Sequence, residues 1–171
     1  KVVTEYDNGD LWMKNDLSNT STYFELKEIV NVEDNKAPLP YFTYIIKNVS
    51  TGLVLSNGGS NENDAKIIVE EEQEKAYGQM WKLSIPMYQS GATTWFQLLN
   101  ESCGKCIDCA FESSGKPLQW SQNMDESSAN WNQMFEILEV EGVEDTYQFK
   151  VGKNVGSKWS PQFEYHYLAV G

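Results

Sequence analysis

Short apolar runs bounded by Gly, Asn, Ser or Pro recur along the whole chain, at residues 41–46, 53–55, 66–69, 80–85, 94–99, 135–140 and 146–151. Apolar positions at helical spacing are nearly absent. Runs this short, separated by polar turns at close intervals, predict an all-β sandwich or barrel. The segment Ser56-Asn57-Gly58-Gly59-Ser60-Asn61 supplies the residue types that tolerate left-handed turn geometry. The acidic run from Glu70 to Glu74 reads as a solvated loop.

The runs are not independent of one another. Gln79-Met80-Trp81-Lys82-Leu83 resembles Gln133-Met134-Phe135-Glu136-Ile137, with a weaker third copy at Thr22-Tyr23-Phe24-Glu25-Leu26. In each, an aromatic residue is followed by a charged and then an aliphatic one, the alternation of a strand with one face inward. A second set comprises Lys66–Glu70, Lys116–Trp120 and Lys1–Glu5; a third comprises Leu53–Ser56, Cys106–Asp108 and Tyr167–Ala169. Phe24, Trp81 and Phe135 are 57 and 54 residues apart, and passing from the C-terminus back to Lys1 gives a third interval of 60. The third repeat is therefore expected to be split between the termini, with repeat pieces 28–84, 85–138, and 139–171 plus 1–27 in a single domain. Such closure requires the two chain ends to meet.

Composition narrows the partners. Among 171 residues, 25 acidic against 13 basic side chains give a net charge of −12. That sign disfavours nucleic acid, which needs clustered Lys and Arg, and anionic membrane surfaces. No apolar run approaches the ~20 residues of a membrane-spanning helix, so no membrane insertion is expected. Cys103, Cys106 and Cys109 lie in one short stretch, and His166 is the single histidine. A redox CxxC pair would need a following helix, and a zinc site would need a fourth ligand. Structural thiols are expected, with no metal and no cofactor. Sequons at Asn19, Asn48 and Asn100 are compatible with a secreted glycoprotein.

Three repeats of short strands, each ending in Gln-x-aromatic or its remnant, resemble the ricin B-chain-like lectins, which are β-trefoils. The best-matching stretches are residues 44–83 and 95–137. The resemblance implies a core role for the aromatic of Gln-x-aromatic. It places sugar binding on an Asp after the second-strand aliphatic residue, an aromatic on the next strand, and an Asn just before the Gln. The middle repeat supplies all of these as Asp108, Trp120, Asn132 and Gln133, with Phe135 replacing the usual core Trp. The first repeat has Ser56, Glu70 and Gly78 at the Asp, aromatic and Asn positions, and the split repeat has Ala169, Glu5 and Ser21. Only one complete sugar site is therefore expected.

Those residue types suit a neutral sugar, which presents hydroxyls in fixed directions and one flatter face of C–H bonds. A carboxylate accepts two hydroxyl protons, an amide both donates and accepts, and an aromatic plane stacks on the C–H face. The resemblance points to a glycan or glycoprotein partner of galactose or N-acetylgalactosamine type. A single shallow site of this kind corresponds to roughly millimolar affinity, so oligomerisation or tethering in a larger protein would supply avidity. Strand alternation puts either Leu118 and Trp120, or Pro117 and Gln119, on one face; exposure of Trp120 is expected, and Trp131, beside Asn132, is a second ring that could line the pocket or pack beneath it. Asp108 could alternatively cap a turn, and Asn132 and Gln133 could satisfy loop backbone groups. Nothing selects a catalytic pair from 25 acids, so no enzymatic activity is expected. The rival reading is a β-trefoil protease inhibitor or protein-interaction module acting through an exposed loop such as Trp159–Phe163.

Overall fold

The structure is a computed structural model that describes residues 10–14, 20–29, 43–84, 88–90, 92–109, 111, 116–124, 131–156, 160 and 162–170. In chain order its strands are β1 (Leu11–Lys14), β2 (Phe24–Glu28), β3 (Thr43–Asn48), β4 (Val54–Ser56), β5 (Ala65–Lys66), β6 (Ile68–Glu70), β7 (Met80–Leu83), β8 (Tyr88–Ser90), β9 (Thr93–Trp95), β10 (Leu98–Asn100), β11 (Cys106–Cys109), β12 (Pro117–Trp120), β13 (Phe135–Glu139), β14 (Thr146–Asn154) and β15 (Phe163–Val170). Helical structure among the described residues is confined to three 3-10 turns, Thr20–Thr22, Tyr77–Gln79 and Trp131–Gln133. Each of these immediately precedes one of the repeat-ending strands β2, β7 and β13. Two of the runs read as single strands are broken, at Ile67 and at Phe96-Gln97.

Antiparallel pairing joins β13 to β14, β14 to β2, β2 to β3, β3 to β7, and β7 to β10. The remaining gap closes at a bridge between Phe96 and Phe135, whose backbone N–H groups donate to each other's carbonyls at 2.8 and 2.7 Å. Closure removes the open edges that an unpaired sheet would expose. Three hairpins complete the repeats: β4 with β6, β11 with β12, and β15 with β1. A six-stranded ring with one hairpin per repeat is a β-trefoil. Within it the first and last described strands meet, because β1 pairs with β15, and β2 pairs with β14.

Two details of the sequence reading are revised. Lys1–Glu5 lies outside the described residues, and the strand found opposite Leu168 is β1, with Leu168 against Met13 and Ala169 against Trp12. By register, Lys14 thus occupies in the split repeat the place that Trp120 holds in the middle one. Its ammonium donates to Ser21 Oγ at 3.4 Å. The sequons at Asn48 and Asn100 are also structural positions. Both side chains are fully buried. Asn48 Nδ2 donates to the carbonyls of Ser21 and Tyr23, and Asn100 Nδ2 donates to that of Gly78. Their Oδ1 atoms accept the N–H groups of Thr51 and Ser102, holding the following turn in each repeat. A glycan on Nδ2 has no place in either setting. Asn19 lies outside the described residues.

The repeat-ending aromatics Phe24, Trp81 and Phe135 are all fully buried, as are Leu55, Ile107 and Leu168 from the hairpins. Phe149 makes edge contacts with Phe24 and Phe135, with centroids 5.5 and 6.5 Å apart. Burying each such ring contributes roughly 1.5–3 kcal/mol. Trp81 carries an N–H that would be costly to leave unpaired, and it donates to the Leu55 carbonyl at 3.0 Å.

Candidate functional site

Strands β11 and β12 pair with Asp108 opposite Leu118 and Cys106 opposite Trp120. Residues opposite one another in an antiparallel pair project to the same face, so Asp108, Leu118 and Trp120 share one side of the hairpin. On the other side Ile107, Cys109, Pro117 and Gln119 are buried. Trp120 is 43% exposed, and Leu118 is partly buried beside it. The alternation left two assignments open, and the burial of Pro117 and Gln119 decides between them.

The 3-10 turn Trp131–Gln133 delivers two amides to the carboxylate. Asn132 Nδ2 donates to Asp108 Oδ1 at 2.7 Å, and Gln133 Nε2 donates to Asp108 Oδ2 at 2.9 Å. Each oxygen thus receives one N–H and retains capacity for a further donor. Asn132 Oδ1 accepts from no described residue, so it too can meet a ligand hydroxyl. Burial pushes the Asp108 carboxyl up from the ordinary aspartate value, while the hydrogen bonds from Gln133 and Asn132 pull it back.

Gln133 sits deeper than the sequence reading placed it when it grouped this residue with the sugar contacts. It is 3% exposed, and its Nε2 also donates to the Ser121 carbonyl at 3.3 Å. Its Oε1 accepts from the Asn123 N–H at 2.9 Å and from Gln97 Nε2 at 3.3 Å. With both ends engaged, Gln133 orients Asp108 from behind. Gln97 went unrecognised in the sequence. It is fully buried, takes a 2.6 Å hydrogen bond from Gln122 on Oε1 and donates to the Asn123 carbonyl at 3.0 Å. Its signal was an amide set inside the apolar run 94–99.

Trp131 packs edge-on against Phe163 and Trp95, with centroids 4.5 and 6.0 Å apart. Tyr165 stacks with Phe163 and with Trp95. Lys150 lies 4.2 Å over the Tyr165 ring and pairs with Glu136 at 2.8 Å. Trp131 is therefore anchored in a ring cluster with β9 and β15. Of the loop proposed for the rival reading, Trp159 and Pro161 lie outside the described residues.

The three thiols are unbridged. Cys106 is fully buried, and burial together with the nearby Asp108 charge pushes its thiol up to about 12. Cys109 is driven well upward by the same two causes. Both are protonated and inert as nucleophiles at neutral pH. Among the described residues, no group of three His, Cys, Asp or Glu side chains could hold a metal ion. An open concavity of about 700 Å³ lies along residues 139–147 and contains none of the expected site residues.

The family model for the ricin-type β-trefoil lectin domain-like family matches residues 28–120. That span includes Asp108 and Trp120 but ends before Asn132. Among solved structures, the chain is similar to a designed three-fold symmetric protein, ThreeFoil, at 15% identity and a TM-score of 0.47, over 86% of this chain and 98% of that one. It is also similar to a lectin of Polyporus squamosus bound to the human-type influenza-binding epitope Neu5Aca2-6Galb1-4GlcNAc, at 13% identity and a TM-score of 0.44, over 66% and 46% of the two chains. A third is the cytolethal distending toxin from Actinobacillus actinomycetemcomitans, at 13% identity and a TM-score of 0.47, over 88% and 80%. No curated protein matches the chain.

Proposed function

The chain belongs to the ricin-type β-trefoil lectin domain-like family, and on that premise we propose that it is a non-enzymatic carbohydrate-binding protein. Its sugar site is the middle-repeat group of Asp108, Asn132 and Trp120, with Gln133 as the positioning residue. The observation that carries this reading is the Asp108 carboxylate. Two amides fix its orientation at 2.7 and 2.9 Å, and an exposed indole stands on the same hairpin face.

A sugar hydroxyl donates to each Asp108 oxygen, Asn132 Oδ1 accepts from a neighbouring hydroxyl, and the C–H face of the ring lies on Trp120. A hydroxyl left unpaired on burial costs about 1–3 kcal/mol, so an epimer at a bonded position binds less well. The net charge of −12 favours neutral or cationic glycans. Galactose or N-acetylgalactosamine, on a glycan or glycoprotein, is the proposed ligand type. Avidity would come from several copies or from tethering. An extracellular location follows from that partner class; with Asn48 and Asn100 buried, the sequons lend it little support.

A glycan array probed with the wild type and with Asp108→Ala tests the proposal. Signal on neutral glycans that the variant loses is the expected result. Equal signal from both proteins, or none from either, would overturn it.

A further inference from the structure

The middle-repeat group is rich in acceptors. It offers a ligand the two Asp108 oxygens and Asn132 Oδ1, while Asn132 and Gln133 both spend amide N–H groups on the carboxylate. The oxygens of a sugar need donors as well. Unspent donors lie on a segment of the first repeat.

Residues 60–66 run along the edge of β12 that β11 leaves free. β5 pairs with β12, with Lys66 opposite Leu118 and Ala65 opposite Gln119. Leu118 in turn stands opposite Asp108. Opposite residues project to one face, so Lys66, Leu118 and Asp108 form a row across three strands, with Trp120 two positions along β12. Burial agrees, because Lys66 is exposed whereas Gln119 and Ile107 in the next row are buried. The Lys66 ammonium has no partner among the described residues. Just beyond Trp120, Asn63 Oδ1 accepts the N–H and the hydroxyl of Ser121 at 3.0 and 3.1 Å. A backbone N–H can only donate, so the oxygen of the amide is fixed toward Ser121. Nδ2 faces away, and no described residue claims its hydrogens. Asn63 and Lys66 thus flank the position of Trp120 along β12.

The segment that carries them is anchored. Gln119 is fully buried and donates from Nε2 to the carbonyls of Ser60 and Glu62, each at 2.9 Å. Its backbone carbonyl accepts the Asp64 N–H at 2.9 Å, and its Oε1 accepts from Asn57 Nδ2 at 3.1 Å. Donors already held in place lose little freedom when a ligand arrives.

We propose that the sugar site continues across β12 into an extended subsite, where Asn63 Nδ2 and the Lys66 ammonium donate to a second sugar of the same glycan chain. The proposal rests on the reading of Asp108, Asn132 and Trp120 as the primary site. Neighbouring strands lie ~4.8 Å apart, so Lys66 stands roughly 10 Å from Asp108, farther than one pyranose ring reaches. Glu62 and Asp64 on the same segment outweigh the single Lys66 charge. The second sugar is therefore uncharged and offers hydroxyl oxygens or an acetamido carbonyl. The ligand class becomes a neutral disaccharide or longer chain ending in galactose or N-acetylgalactosamine.

Primary site and extension can be read separately. The full chain, labelled with nitrogen-15, is titrated to roughly 100 mM, enough to saturate millimolar sites. The ligands are galactose alone and galactose β-linked to glucose, to N-acetylglucosamine and to N-acetylgalactosamine. The Trp120 indole N–H gives the affinity, and the Asn63 side-chain amide reports the extension. At least one disaccharide is expected to bind roughly tenfold tighter than galactose. It should also shift the Asn63 amide, which galactose leaves in place. Asn63→Asp keeps the oxygen that Ser121 needs and removes the donor; Lys66→Met keeps the stem and removes the ammonium. Each should reduce the disaccharide advantage while galactose binds as in the wild type. Disaccharides no tighter than galactose, or an advantage that survives both substitutions, would overturn the extended subsite and leave the primary one standing. A Trp120 indole unmoved by every sugar would overturn the primary reading, and the extension with it.

Discussion

Gln133 Nε2 donates to Asp108 Oδ2 across 2.9 Å, linking a 3-10 turn before β13 to the middle of β11. The glutamine is buried and the carboxylate is partly open, so the pair joins the protein interior to the proposed ligand. Replacing the amide with an apolar group of similar size leaves Asp108, the Asn123 N–H and Gln97 each short of a partner. Gln133→Leu should therefore lower stability by about 1–3 kcal/mol, read as a lower denaturant midpoint. It should also weaken sugar binding, although Gln133 touches no ligand.

Trp120 contrasts with it. Because the ring is 43% exposed, Trp120→Ala should change the unfolding free energy by less than about 1 kcal/mol. Loss of the stacking face should weaken galactose or N-acetylgalactosamine binding roughly tenfold, equivalent to about 1.4 kcal/mol. Tryptophan fluorescence should respond to sugar in the wild type and lose most of that response in the variant. A ring that served only the fold would reverse this pattern.

Sugar binding should be lost on acidification earlier than an ordinary aspartate would require. Burial raises the folded-state pKa of Asp108, and only the ionised group offers both oxygens to amides and hydroxyls. Affinity is thus full above that raised pKa and falls as pH drops through it. Titrating affinity against pH should give a midpoint above the usual value of about 3.9, moving further up in Gln133→Leu.

Gly78 stands where the middle repeat has Asn132, and the reason is steric. A Cβ at position 78 would run into Asn57 Oδ1. Asn57 cannot easily yield, because its Nδ2 donates to the Ser60 carbonyl, Ser102 Oγ and Gln119 Oε1 at 2.7, 3.0 and 3.1 Å. Gly78→Ala should cost about 1–3 kcal/mol of stability by overpacking, measured by denaturant unfolding. The Asn57→Gly, Gly78→Ala double variant should lose less than the sum of the two single changes.

His166 should make the fold acid-sensitive. Its imidazole is mostly buried against Phe111, with Nε2 3.5 Å from Glu164 and Lys153 nearby. Burial lowers its pKa, Lys153 lowers it further, and Glu164 partly opposes them. The unfolded chain therefore binds the proton more readily than the folded one. This contribution to stability is complete above the unfolded value of about 6.5 and is lost as pH falls below it. The melting temperature should drop between about pH 7 and pH 5, and His166→Gln should flatten that slope.

What could be read from the chain alone was whatever repeats. Strand-length apolar runs, and the spacing of Phe24, Trp81 and Phe135, determine an all-β chain of three repeats with the third one split, because burial imposes the same local pattern three times; the β-trefoil itself was implied by the family resemblance those repeats carry. Asp108 and Trp120 were legible through that same resemblance, which matches them to positions of the repeat, while strand alternation left the face of Trp120 open. Tertiary structure alone decided which alternative held. The face of β12 depended on what packs beneath Pro117 and Gln119, and the split repeat's third strand on its pairing with β15. It also moved Gln133 behind the carboxylate, and it set Asn63 of the first repeat against Ser121. Hydrogen-bond direction and burial arise from contacts between distant segments, and side-chain periodicity does not encode them.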